Sequence, residues 1–184
     1  GLEKFNSNII DPIKLTFDKA LFKKSIEEII ELEIHRQRDK SNTNAIGYFH
    51  QYMFKYIANC EVPLRGFDVK DGTKIYVEMK NKHNTMNSSS GQKTYIGMQN
   101  QILNHPNDMC FLVETIAKRS QNIVWRCSLN GETVAHDKIR RVSMDKFYEL
   151  VTGIPDAFYQ VCKQLPITID KLIKTDVIDT VEKD

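Results

Sequence analysis

Residues 66–80 read Gly66-Phe67-Asp68-Val69-Lys70-Asp71-Gly72-Thr73-Lys74-Ile75-Tyr76-Val77-Glu78-Met79-Lys80. An Asp-Gly pair between two segments rich in β-branched and aromatic residues is a strong hairpin signal, because glycine supplies the positive φ that a tight turn needs. The pattern predicts extended segments over Val62–Lys70 and Lys74–Lys80, joined by Asp71-Gly72-Thr73. Side chains two apart in a strand share a face, so Glu78 and Lys80 point one way while Ile75, Val77 and Met79 point the other. Asp68 is likewise one acid between the apolar Phe67 and Val69. A hairpin turning at Asp71-Gly72 can bring Asp68 and Glu78 together on one face.

Two carboxylates held close repel each other unless a proton or a cation compensates. Magnesium is a natural partner, since it takes oxygen ligands and needs only one or two carboxylates beside its waters and substrate phosphate. Asp68, Glu78 and the carbonyl of Met79 are the candidate ligands. Such an ion lowers the pKa of a bound water and stabilises charge growing at phosphorus. Lys80 is placed to orient the water or neutralise that charge; the sequence leaves open whether it also takes the proton. For an isolated Glu-x-Lys, a solvated surface ion pair is the default reading. The hairpin, the apolar alternation and the polar stretch that follows shift it towards a catalytic site.

Upstream, Asp18–Arg38 has apolar residues at helical spacing, from Leu21 and Phe22 through Ile26, Ile29 and Ile30 to Ile34, and is expected to be one long amphipathic helix. Lys40-Ser41-Asn42-Thr43 reads as a break, and Asn44–Asn59 as a second helix capped by Asn44. Downstream, Asn81–Gln92 is polar and rich in Asn and Ser, which predicts a surface loop. A helix is expected over Lys93–Asn104, ended by His105-Pro106-Asn107. The apolar run Met109–Val113 then reads as a central strand. Ile123–Leu129 with Asn130-Gly131 predicts a strand entering a turn, and Asp137–Val142 a short further element. Helices dominate from Ser143, with Pro155 and Pro166 as breaks.

The chain has 184 residues, 41% hydrophobic and 27% charged, enough for one globular domain over 1–184: a helical segment 1–60, a sheet core 61–142 and C-terminal helices 143–184. The fold class expected is α/β, a central mixed sheet flanked by helices. Net charge is only +2, so composition by itself does not announce a nucleic-acid binder. The cysteines Cys60, Cys110, Cys127 and Cys162 lack zinc-knuckle or redox spacing and read as buried free thiols. No apolar run is long enough to span a bilayer, and the N-terminus lacks a signal pattern, which places the expectation in a reducing cytoplasm.

Gly66-Phe67-Asp68-Val69 followed by Val77-Glu78-Met79-Lys80 resembles the paired motif of the PD-(D/E)xK nucleases, with Asp68 as the first acid and Phe67 where proline is often written. The continuation Asn81–Asn87, with the helix through Gln99 and Gln101, resembles more narrowly a family of type II restriction endonucleases that cut GGNCC-type sites, over most of the chain. The resemblance implies magnesium-dependent, site-specific hydrolysis of double-stranded DNA as part of restriction–modification. A near-palindromic target would call for a homodimer. It also implies a further acid from the helix before the sheet, for which Glu33 is the candidate and Glu28 and Glu31 are competitors.

Candidate DNA contacts follow from hydrogen-bonding vocabulary: Lys82, His83, Asn84, Asn87, Ser88, Ser89, Ser90 and Lys93 after the catalytic strand. Arg119, in Lys118–Asn122, and Arg140, in the patch with Lys138 and Arg141, are more remote candidates. Two other readings remain: a repair or recombination nuclease with the same active site, and a DNA-binding module without catalysis.

Overall fold

The computed structural model describes residues 11–57, 59–72 and 74–181, with side chains to Lys174. The chain divides into two compact units, Gly1–Phe49 and His50–Asp184.

Helix α1 spans Pro12–Phe22 in the first unit, and α2 spans Ile26–Met53, its last four residues belonging to the second. The single helix expected over Asp18–Arg38 is therefore two. Lys23 at φ 50° ends α1, and a capping box starts α2: the Ser25 amide donates to Glu28 Oε2 at 2.8 Å and the Glu28 amide to Ser25 Oγ at 3.3 Å. The break expected at residues 40–43 is absent, and Asn44 lies inside α2. Lys, Ser, Asn and Thr each lower helix propensity by only a fraction of a kcal/mol, up to about 0.7, and no Gly or Pro enforces a stop. Arg36 ties the two helices together, bonding Asp18 Oδ2 at 2.8 Å.

The second unit is built on one six-stranded sheet. Its strands are β1 Cys60–Glu61, β2 Val69–Asp71, β3 Ile75–Lys82, β4 Met109–Ile116, β5 Asn122–Leu129 and β6 Glu132–Ser143, in the order β1-β2-β3-β4-β6-β5. β3, β4 and β6 are mutually parallel; β1, β2 and β5 pair antiparallel with their neighbours. Helix α3 spans Ser88–Asn104, α4 Met144–Thr152 and α5 Ala157–Val181. This is the expected α/β class, and β4 is central as its apolar run implied.

Period-2 alternation sorts the strands' side chains into two cores. Val69, Val77, Met79, Phe111, Val113 and Val142 pack with Phe54, with Met144, Phe147 and Tyr148 of α4, and with Ala157 of α5. Cys110, Leu112, Ile139, Trp125 and Cys127 pack with Tyr95, Met98 and Ile102 of α3. Trp125 is thus a core residue, edge-on to Tyr95 at 5.2 Å between ring centroids. Cys110 and Cys127 are buried thiols as expected; Cys60 is half-buried and Cys162 exposed.

Four further expectations are corrected. The segment 62–68 is irregular apart from the short β2 that follows, because Pro63 and Gly66 interrupt extended pairing. The polar loop shrinks to His83–Asn87: β3 runs on to Lys82, and Asn87 caps α3 by accepting from the Ser90 amide at 2.8 Å, so Ser88–Ser90 form its first turn. β6 is twelve residues long rather than six, and its register against β5 shifts between Val124 and Arg126; that irregularity masks the alternation. Pro166 lies within α5 rather than ending it. Proline removes one backbone bond, here from the carbonyl of the exposed Cys162, where water can replace it.

Candidate active site

The register of the hairpin decides the geometry. Val69 faces Val77 and Asp71 faces Ile75; Asp68, one residue before β2, lies outside that pairing but stays against β3. Its amide donates to the Val77 carbonyl at 2.9 Å, and its Oδ2 accepts from the Met79 amide at 2.7 Å. Lys80 Nζ reaches Glu78 Oε1 at 2.7 Å. Asp68, Glu78 and Lys80 are all half-buried. The structure therefore brings together the three residues singled out in the sequence. One oxygen on each carboxylate, Asp68 Oδ1 and Glu78 Oε2, has no hydrogen-bond partner among the described residues.

Burial raises the pKa of Asp68; the Met79 hydrogen bond opposes this, Glu78 adds to it, and Lys80 offsets it in part, leaving a net upward shift. An anion whose surroundings leave it under-compensated is a place where an added cation is stabilised. Two carboxylates are what the site offers: among the described residues no group of three His, Cys, Asp or Glu side chains could hold a metal ion. That suits a hard ion such as magnesium, which keeps much of its water, better than zinc.

A second polar group on the same sheet face was missed in the sequence. In the β3–β4 register Lys80 faces Glu114, and Glu78 faces Leu112, which in turn faces Arg141 on β6. Glu114 is 1% exposed. Its carboxylate bonds His83 Nδ1 at 3.0 Å through Oε2 and Arg141 Nη2 through Oε1. Burial pushes the Glu114 carboxyl up, but the Arg141 and His83 hydrogen bonds and charges outweigh that and hold it below the usual range. The available signal was an acid two residues beyond Leu112 in a strand otherwise buried, at the parity that shares the Glu78 face.

The remaining candidates are scattered. Lys82 is exposed at the end of β3. Asn84, at φ 56°, accepts from Arg141 Nη2 at 3.2 Å. Ser88, Ser89, Ser90 and Lys93 line the exposed start of α3. Arg119 is exposed and bonds Gln121 at 3.3 Å. Arg140, adjacent to Arg141 and so on the opposite face, is occupied by Asn122, to Oδ1 at 2.5 Å and to the carbonyl at 2.7 Å. Glu33 belongs to the first unit, where it is buried and bonds Arg36 at 2.5 Å and Gln37 at 2.6 Å; Glu28 is engaged in the Ser25 capping box and Glu31 is exposed.

Comparison with known proteins gives the family of the chain. Residues 1–174 match the model of the family described as Eco47II restriction endonuclease. The chain belongs to that family. Among its relatives, the type II restriction enzyme Sau96I of Staphylococcus aureus is 32% identical over 184 residues, covering 94% of this chain and 70% of that enzyme. The type II restriction enzyme Eco47II of Escherichia coli is 28% identical over 181 residues, covering 92% of this chain and 75% of that enzyme. No solved structure matches. Membership makes the chain a type II restriction endonuclease, a site-specific deoxyribonuclease. No helix among the described residues is long and apolar enough to cross a membrane.

Proposed function

We propose that Asp68, Glu78 and Lys80 form the catalytic centre of this restriction endonuclease and that Asp68 and Glu78, with the Met79 carbonyl, hold a magnesium ion. The observation that carries the reading is the pair of bonds that hold Asp68 against β3 beside Glu78, with the Val77 carbonyl and the Met79 amide on one acid and Lys80 on the other. Magnesium bound there would supply a more acidic water and charge stabilisation at the scissile phosphate. The chain's own residues do the positioning. Met79 N–H fixes the Asp68 carboxylate, Lys80 fixes that of Glu78, and the Lys80 ammonium lies where it can steady the negative charge that develops on phosphate oxygens. Glu33, the further acid that the resemblance implies, is engaged within the first unit by Arg36 and Gln37.

The substrate is double-stranded DNA with a GGNCC-like site, cut by a homodimer in which each protomer cleaves one strand and reads one half-site. Lys82, His83, Asn84, Asn87, Ser88, Ser89, Ser90 and Lys93 lie between the catalytic strand and the start of α3, and this segment is the DNA-facing one. Arg119 is a peripheral phosphate contact; Arg140, engaged with Asn122, is the weakest of the candidates. The protein acts in the cytoplasm, where the DNA it restricts is found.

The test is digestion of unmethylated phage DNA by the wild type and by Glu78→Ala, with magnesium or with chelator. Discrete magnesium-dependent fragments are expected from the wild type, with the rate reduced at least about 10³-fold in the variant, equivalent to about 4 kcal/mol of transition-state stabilisation. Undiminished cutting by Glu78→Ala would remove this site from the chemistry.

A further inference from the structure

Lys80, Glu114 and Arg141 lie towards the carboxyl ends of three parallel strands, on the face that carries Asp68 and Glu78. Register places Arg141 two strands from Glu78, with Leu112 between them; at strand spacings of about 4.8 Å, the two residues stand roughly 10 Å apart across the sheet. Glu114 and Arg141 side chains are 2% and 19% exposed. Arg141 donates to Glu114 and Asn84 through Nη2, which also lies 2.8 Å from His83 Nδ1. Nε is buried without a partner, and Nη1 has none among the described residues.

Arg141 lines a cavity of about 220 Å³ together with Asn84, Asn87, Leu112, Trp125 and Cys127. The volume is below the roughly 300 Å³ at which ordinary small-molecule pockets begin, and the lining offers the Arg141 guanidinium and the amides of Asn84 and Asn87 over an apolar floor of Leu112, Trp125 and Cys127, with no carboxylate. The guanidinium and the amides are the partners of a compact, polyatomic anion.

We infer that Glu114 is a positioning residue that fixes Arg141 as a phosphate-binding side chain, and that the cavity beside it takes a DNA backbone phosphate flanking the one that is cut. The inference rests on the nuclease reading above and adds a binding site to it. Without Glu114, a flexible arginine would have to be ordered at the moment DNA binds. With it, the planar fork is already set and only the phosphate has to arrive. His83, bonded to the same carboxylate, holds the β3–α3 turn against that anchor, so the DNA-facing segment and Arg141 are fixed by one buried group. Phosphate contacts set the register of a protein on its duplex rather than reading sequence, and a contact about 10 Å from the catalytic acids falls within a few base steps along one strand, at about 3.4 Å of rise each.

The experiment measures binding of the full chain to a short duplex carrying the cleavage site mapped with the wild type, and to one lacking it, in chelator across a salt series. Arg141→Ala is expected to weaken both complexes about 10-fold and to lower the slope of log affinity against log salt by about one contact. Arg141→Lys should keep the slope. Removal of Arg141 alone strands a buried carboxylate, so the double variant Glu114→Gln with Arg141→Gln, which removes both charges, is measured alongside. Glu114→Gln by itself should keep much of the salt slope but raise KM with kcat less affected. Wild-type affinity and slope in folded Arg141→Ala or in the double variant overturn the assignment. So does a loss confined to the site-bearing duplex, which would make Arg141 a base reader. Failure of the wild type to cut phage DNA would instead break the nuclease reading itself.

Discussion

Asp68 and Glu114 stand on the same face of one sheet, separated by β3, and their surroundings act on them in opposite directions. Glu114 is the more completely enclosed, 1% exposed, yet its carboxyl is held below the usual range because Arg141 and His83 are bonded to it. Asp68 is only half-buried, yet its carboxyl is raised, because one amide and a neighbouring lysine do not offset burial and the Glu78 charge. Burial pushes both carboxyls up, and the supply of partners sets the sign of what remains. The satisfied acid behaves as scaffold. The under-compensated one leaves room for a cation from outside, and that is where chemistry is expected.

The sharpest way to break this contrast is Asp68→Asn. The amide oxygen still accepts from the Met79 N–H, the shape is kept and the repulsion with Glu78 is gone, so unfolding free energy should change by less than about 1 kcal/mol or rise. Cleavage should meanwhile fall on the order of 10²–10³-fold, since a charged group aimed at the reacting centre is lost. Urea unfolding beside a cleavage time course separates the two effects; a large loss of stability would show that Asp68 is scaffold after all. Glu114→Ala should do the reverse. Deleting one partner of a buried pair leaves Arg141 uncompensated and is expected to cost about 3 kcal/mol. An unfolding midpoint unchanged from wild type would mean that the Arg141 charge finds water or another partner, and that Glu114 is not the anchor described.

How much of this was legible beforehand depends on which physical signals are local. The hairpin at Asp71-Gly72 and the parity of Glu78 and Lys80 are local, and the structure agrees with both. The sheet face opposite α3, built from Val77, Met79 and Val113, also follows from alternation alone. Helix ends were less legible: Lys40–Thr43 resembles a break, but propensity differences that small are overridden by continuity of a long helix, whereas the three-residue stop after Phe22 depends on one left-handed lysine and the Ser25–Glu28 capping box. The Glu114–Arg141 pair joins residues 27 apart in sequence. Only the β4–β6 register brings them together, and that parallel pairing is not visible in either segment by itself. Arg140 was singled out over Arg141 because a basic run shows composition and not facing.

The smallest effect is also the one whose sign separates the two acids. For Asp68 the folded-state pKa lies above its ordinary value, so the native state holds that proton more tightly than the unfolded chain does. In metal-free protein its ionisation costs stability at neutral pH, and the cost is relieved as pH falls through the raised value towards the ordinary one. For Glu114 the folded-state pKa is depressed, so its contribution is present above the ordinary value and is lost as pH falls through the depressed one. On acidification the two contributions therefore have opposite signs and overlap around the ordinary carboxylate values. Denaturant midpoints measured with chelator from neutral to acid pH should show the gain vanish in Asp68→Asn and the loss vanish in Glu114→Gln. Saturating magnesium, if held by Asp68, should reverse the Asp68 limb, because the ion binds the ionised carboxylate and competes with the proton. Stability curves that superimpose with and without magnesium would take Asp68 out of the metal site while leaving the Glu114 limb intact.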